Sequence, residues 1–350
     1  MDFEKVYDAD GHILEDDNQL FEHLDPPYRG KKKLLIESLF PSVDGWHRRA
    51  MGIGDGRASD IGRELPGDDV ASWLALMDRT GIEETVLYPT LGLAEGLIKD
   101  ADWAVAICRA YNSFLYETYL KVSPRIHAMA LLPMQDVDEA VKELRRAKNE
   151  LKMFGGVITP VGLPLPAGHP TYHPVYAEAE KLDCAIAIHG GTASGLGFDF
   201  FTKLIQARAL SHPFAQIIHL TNIVLEGVLE KYPKLRVLSL EAGASWVPFL
   251  MDRLDLEWEK RGTRQAPLLK KKPSDYLKGG QVFFNVDPME RIIPTVVNML
   301  GEDHLFYASD YPHERNQDET IGYLRSREDL SDIAKQKMLY HNARRMYRVN

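Results

Sequence analysis

Eight short apolar runs, rich in Val, Ile, Leu, Tyr and Phe, alternate along the chain with longer stretches whose apolar residues recur at helical period. The runs lie near Val6 to Ile13, Glu84 to Pro89, Ile126 to Pro133, Gly156 to Pro160, Cys184 to His189, Arg236 to Glu241, Val282 to Val286 and Leu305 to Asp310. A short run that is apolar throughout and bounded by turn residues suits a strand covered on both faces. Repetition of strand, helix, strand then argues for parallel βαβ units. Eight such units close a (β/α)8 TIM barrel, and 350 residues is a length that one barrel with insertions uses. The expectation is a single α/β barrel domain spanning 1–350.

Between the strands, Asp136 has Glu139 three residues on, the spacing of a capping box, and Val137, Ala140, Val141, Leu144 and Ala147 then share one helix face. Pro213, after Ser211 and His212, is expected at the first position of a helix running through Ile217, Ile218, Val224, Leu225, Val228 and Leu229 to Tyr232. The stretch from about 16 to 69 breaks the alternation with Pro26-Pro27, three consecutive lysines from Lys31, and a glycine-rich run from Met51. A loop that long is uncommon unless it is functional, so it is expected to be an insertion after the first strand, over the C-terminal face where barrel sites lie.

Composition excludes several partners. A net charge of −9, spread along the chain, is unsuited to nucleic acid or to an anionic membrane. The two cysteines, Cys108 and Cys184, lie far apart in apolar segments and make neither a disulfide framework nor a CxxC motif. The first residues lack the basic and apolar regions of a secretory signal, and no apolar run approaches the roughly 18 residues that span a bilayer. A cytoplasmic location is expected.

Chemistry-bearing residues gather at the ends of three of the expected strands. Asp10 and His12 end the first, His189 the fifth and Asp310 the eighth, and in a parallel barrel those ends meet on one rim. Asp10 and His12 are two apart, so on a strand they point the same way. Two carboxylates and two imidazoles suit one divalent ion such as Zn²⁺, Mn²⁺ or Fe²⁺ with a position open for water or substrate. Zinc is the first expectation and manganese the second.

These motifs, with others, carry a family resemblance. Asp8-Ala-Asp-Gly-His12, Met77-Asp-Arg-Thr-Gly-Ile-Glu83, His189-Gly-Gly191, Ser211-His-Pro-Phe214, Leu240-Glu-Ala-Gly243 and Ala308-Ser-Asp-Tyr-Pro-His313 occur in an order that spans nearly the whole chain. The chain resembles the amidohydrolase-related family, in its branch of aminocarboxymuconate-semialdehyde and resorcylate decarboxylases. The resemblance implies that Asp10, His12, His189 and Asp310 are the metal ligands. It also implies nonoxidative decarboxylation of a small carboxylic acid, with a strand-eight carboxylate protonating the ring carbon. Hydrolysis by metal-activated water is the alternative, and a catalytically silent ligand-binding barrel a further one. Homodimerisation is likewise implied by the resemblance alone. One departure stands out: Glu241 occupies the end of strand six, where many relatives have His, which leaves the metal and the acid–base group open.

Around this core, Glu241, His313 and His212 are candidates for catalysis beside Asp310, each with a structural alternative as an ion-paired or loop-closing residue. Arg48 and Arg49 in the inserted segment are candidates to grip a substrate carboxylate, and Trp246 to stack on an aromatic ring. His169, His173 and His219 are expected to serve packing. Gly52 to Gly56 lacks the spacing of a dinucleotide loop.

Overall fold

The structure, a computed structural model, describes residues 5–30, 38–41, 69–191, 194–198, 200–314 and 316–349. Eight parallel strands form the centre: β1 (Val6–His12), β2 (Ile82–Tyr88), β3, β4 (Gly155–Ile158), β5 (Ala185–His189), β6 (Arg236–Leu240), β7 (Val282–Val286) and β8 (Leu305–Tyr307). Strand β3 comes in two pieces, Ile126–Ala128 against β2 and Ala130–Leu131 against β4. Met129 between them keeps its ladder bond, its N–H donating to the Leu87 carbonyl at 3.1 Å.

Two backbone hydrogen bonds close the last strand onto the first. The Asp310 N–H donates to the Asp10 carbonyl at 3.0 Å, and the His12 N–H to the Tyr311 carbonyl at 2.7 Å. The sheet is therefore a closed barrel, as the strand count implied. Every residue of β1, β4, β5, β6, β7 and β8 is buried, which is why segments such as β5 and β8 read as apolar runs, while β1 carries its buried polar side chains on one face.

Helices wrap the outside. Asp136 caps Val137–Asn149 by accepting the Glu139 N–H at 3.1 Å. The Glu139 carboxylate pairs with Lys142 at 2.6 Å, so only half of the expected box forms around a cap that still starts the helix.

Pro213 is not at a helix start. The helix runs Leu204–Leu225 with Pro213 inside it, and the expected continuation breaks at Gly227 before a short Val228–Lys231 turn. Ala209, whose carbonyl loses its intrahelical donor at Pro213, is exposed, so water can replace the missing N–H and the helix extends past the proline. At the other end Gly227 takes φ 70°, a conformation that stops the helix.

Of the inserted stretch, residues 16–30, 38–41 and 69 are described, and they include a short helix, Asp17–Glu22, capped by Asp16. Arg48 and Arg49 lie outside the described residues. No helix among the described residues is long and apolar enough to cross a membrane.

Candidate metal centre

Strand β1 turns Asp8, Asp10 and His12 toward the barrel interior, all fully buried. Between them Gly11 faces outward: a Cβ there would lie 2.3 Å from the Trp73 ring, so only glycine lets the helix Val70–Thr80 pack so closely on this strand. Asp8 is the strand's anchor. Its carboxylate accepts from the Thr85 hydroxyl at 2.7 Å, the Ser309 hydroxyl at 2.8 Å and the Ser309 N–H at 2.8 Å, tying β1 to β2 and to the end of β8.

Above Asp8 the next two side chains meet the end of β5. His12 Nε2 is 3.4 Å from Asp10 Oδ1, and His189 Nε2 is 3.5 Å from Asp10 Oδ2. One donor atom from each of Asp10, His12 and His189 lies within 4.8 Å of the others. Yet Asp10 Oδ1 and Oδ2, His12 Nε2 and His189 Nε2 are buried without a single hydrogen bond. Unpaired buried polar atoms are rare because each costs about 1–3 kcal/mol. Four of them facing one point fit a divalent cation, and the N/O donor set suits manganese or zinc.

The far nitrogen of each imidazole is already used. His12 Nδ1–H donates to the Pro89 carbonyl at 2.8 Å, and His189 Nδ1–H to the Gly190 carbonyl. Those bonds select the tautomer whose Nε2 lone pair faces Asp10, the arrangement found behind metal-binding histidines.

A second layer sits nearer the mouth. Asp310 Oδ1 is 3.5 Å from His12 Nε2 and accepts from His313 Nδ1 at 2.7 Å, while His313 Nε2 meets the Thr90 hydroxyl at 2.8 Å. Glu241 Oε2 is 3.8 Å from His189 Nε2 and 3.5 Å from His212 Nδ1. The side chains of Asp10, His12 and His189 are at most 1% exposed, whereas those of Glu241, His212, Asp310 and His313 are 12–19% exposed. Glu241 and Asp310 both adopt left-handed backbone, φ 53° and 49°. Non-glycine residues take that region rarely, and here it turns both carboxylates back over the strand ends.

Electrostatics follow the layers. Burial pushes the Asp10 carboxyl up to about 7, against the pull of His189. Burial also disfavours protonation of His189, but the Asp10 and Glu241 carboxylates outweigh it and raise the imidazole to about 9. Burial, with His313 and His189 beside it, holds His12 well below the usual histidine range. Burial and the nearby Glu241 charge lift Asp310 to about 6, and Asp310 in turn raises His313 against its own burial. Glu241 is held low despite burial, because His212, His189, His313 and His12 surround it.

The structure thus brings together Asp10, His12, His189 and Asp310 with Glu241, His212 and His313. Trp246 has other contacts: its indole N–H donates to the carbonyls of Ala242 and Gly243, and its ring packs edge-on to Phe284. The glycines after His189 serve close packing, since a Cβ at Gly190 would lie 3.3 Å from His212 Nδ1 and one at Gly191 2.5 Å from Leu93.

A family model described as Amidohydrolase matches residues 7–349. The chain belongs to the amidohydrolase family. It is 25% identical over 288 residues to a gamma-resorcylate decarboxylase of Rhizobium sp., covering 79% of this chain and 86% of that protein. Among solved structures, an amidohydrolase of Mycobacterium avium superposes with TM-score 0.79 at 20% identity, covering 99% of this chain and 98% of that one. A Polaromonas dihydroxybenzoic acid decarboxylase with bound manganese and 2-nitroresorcinol superposes with TM-score 0.73 at 20% identity, covering 99% and 97%. The barrel is that of these amidohydrolases.

Supporting residues were not singled out from the sequence. Asp8 shares the two-residue period of Asp10 and His12, the signal from which its inward direction could have been read. Gln216, one turn after His212 on the same helix, donates to the carbonyls of Ile188 at 2.7 Å and Leu240 at 3.1 Å, holding the ends of β5 and β6 together. Glu15 and Thr90 carry no sequence signal of their own. His219 accepts the Ala167 N–H at 3.2 Å, and His173 meets the Gly168 carbonyl at 3.2 Å, both at packing positions.

Proposed function

We propose that the chain is a nonoxidative decarboxylase of a small aromatic carboxylic acid that works with one divalent cation. What carries the reading is the layering of the cluster: a sealed inner triad with unpaired lone pairs, and a partly exposed outer layer with groups that can hold and move a proton. Asp10, His12 and His189 would hold the cation, with Asp310 as the fourth donor at the edge. When bound, such a cation draws electrons from the substrate carboxylate and an adjacent hydroxyl and fixes their position. The related decarboxylase that carries manganese, and the oxygen share of the donor set, favour manganese alongside zinc.

The protein's own residues supply the proton. Asp310 faces the mouth, and burial beside the Glu241 charge favours its protonated form. It delivers its proton to the ring carbon that bears the carboxylate, so that a C–H bond forms. The C–C bond then breaks, its electron pair restores the ring, and carbon dioxide leaves. Asp310 regains a proton through His313, which sits 2.7 Å away and reaches the Thr90 hydroxyl on its other side. Glu241, paired with His212, adds negative charge that discourages Asp310 from ionising.

Hydroxybenzoates that carry a hydroxyl next to the carboxylate are the substrates to try, with carbon dioxide measured directly. Asp310→Asn should keep its cation and lose turnover by about 10²–10⁴-fold, the usual contribution of a placed general acid. Undiminished turnover in Asp310→Asn, or turnover without carbon dioxide release in the native protein, removes the proposal. The second of these outcomes would favour hydrolysis by the same donor set.

A further inference from the structure

Glu15 lies three residues past the end of β1, outside the cluster, with its carboxylate buried. Three consecutive backbone N–H groups converge on it. Oε1 accepts from Thr90 at 3.0 Å and Gly92 at 2.9 Å, and Oε2 accepts from Leu91 at 2.8 Å and Thr90 at 3.3 Å. These are the first N–H groups of the 3-10 turn Leu91–Leu97 that follows β2, donors that a helix start leaves without partners. The packing leaves little slack, for a Cβ at Gly92 would lie 2.7 Å from Pro89 and 3.3 Å from Glu15 Oε1.

The segment so gripped presents the oxygens against which His12 and His313 rest. The Pro89 carbonyl takes the His12 Nδ1–H at 2.8 Å, and the Thr90 hydroxyl meets His313 Nε2 at 2.8 Å. The two rings lie 4.2 Å apart, centre to centre, so one turn of backbone sets both orientations. We infer that Glu15 is a positioning residue. By bonding the N–H groups of 90–92 it fixes the Pro89 carbonyl and the Thr90 hydroxyl, and through them the tautomer of His12 and the seat of His313. The inference rests on the decarboxylase reading only for its effect on turnover.

A carboxylate is needed for this, because its two oxygens present only lone pairs to three N–H donors. In Glu15→Gln an NH2 group faces at least one of those donors and the turn must open. With 15N-labelled histidine, two-bond nitrogen–proton spectra of the cation-free protein report each ring's tautomer. The native protein should show His12 as a single Nδ1–H form and Glu15→Gln a mixture. The Kd for Mn²⁺ should rise about 10–100-fold in that variant, the usual effect of losing a group that orients a ligand. Glu15→Asp keeps the charge but draws it back by one methylene. It should recover part of the affinity, and it carries the measurement if the glutamine variant does not fold. Thr90→Val removes only the His313 contact and should lower kcat while leaving the His12 spectrum and the Mn²⁺ affinity unchanged.

An unmixed His12 tautomer together with a Kd within twofold of native in a folded Glu15 variant overturns the inference. A native protein that binds Mn²⁺ yet releases no carbon dioxide from hydroxybenzoates overturns the functional reading instead, and the spectrum and affinity still decide the role of Glu15.

Discussion

Protons and the cation compete for the same buried lone pairs, and the cluster states by how much. Without a cation, His189 is raised to about 9 and Asp10 to about 7. A ligand must be deprotonated to bind, so binding releases whatever protons these groups hold. At pH 8 that is about one proton, almost all of it from His189, and at pH 6 it is about two as Asp10 joins. Integrated between those limits, the affinity for Mn²⁺ should be on the order of 10³-fold weaker at pH 6 than at pH 8, roughly 4 kcal/mol. Above pH 9 the dependence should flatten. Titration calorimetry in two buffers of different ionisation enthalpy counts the released protons directly. In His189→Gln most of the affinity should vanish. Binding with no proton release at pH 8, or an affinity flat from pH 6 to 8, would show that the four orphaned atoms are not where the cation sits.

Other perturbations test other parts of the same structure. His189→Ala should fold near-normally yet retain no metal and no turnover, and equal metal content by elemental analysis would refute its assignment as a ligand. Asp8→Ala leaves the buried Ser309 N–H and two hydroxyls without their acceptor. That should cost about 3–5 kcal/mol, lowering Tm by roughly 4–7 °C for a chain of this length, and an unchanged Tm contradicts the anchoring role. Burial holds His219 down to about 4, against about 6.5 when unfolded. Because the unfolded chain takes up that proton more readily, stability from this group is full above about pH 6.5 and is lost as pH falls through 4. The loss amounts to about 3 kcal/mol. His219→Gln should abolish that part of the acid sensitivity, as melting curves at pH 7 and pH 4.5 will tell.

The barrel was legible because its strands are buried on both sides. A segment such as Ala185–His189 has no solvent face to mark with polar residues, so its apolar run stands out between helical stretches. The positions of Asp10, His12, His189 and Asp310 at strand ends were legible for the same reason, since a strand's limits show where its last side chain lies. The long helix was less so. Pro213 is locally a good first residue, but Ala209, four residues earlier, is exposed and open to water where its carbonyl lost a donor, and nothing in the local sequence says which face meets water. The half-formed box at Asp136 has a similar origin, a nearby lysine winning the glutamate.

What the sequence determined by itself was therefore the architecture, the family and the kind of side chain at each strand end, because periodicity and order along the chain are local properties. Tertiary structure alone decided what those side chains can do. Asp310 and Asp10 are neighbours only because the barrel closes, and the burial that lifts one carboxyl to about 7 and an imidazole to about 9 exists only once the strands surround them. The grip of Glu15 on residues 90–92 spans some 75 positions of chain. Distance and exclusion of water set hydrogen bonds and proton affinities, and neither is defined until distant segments have met.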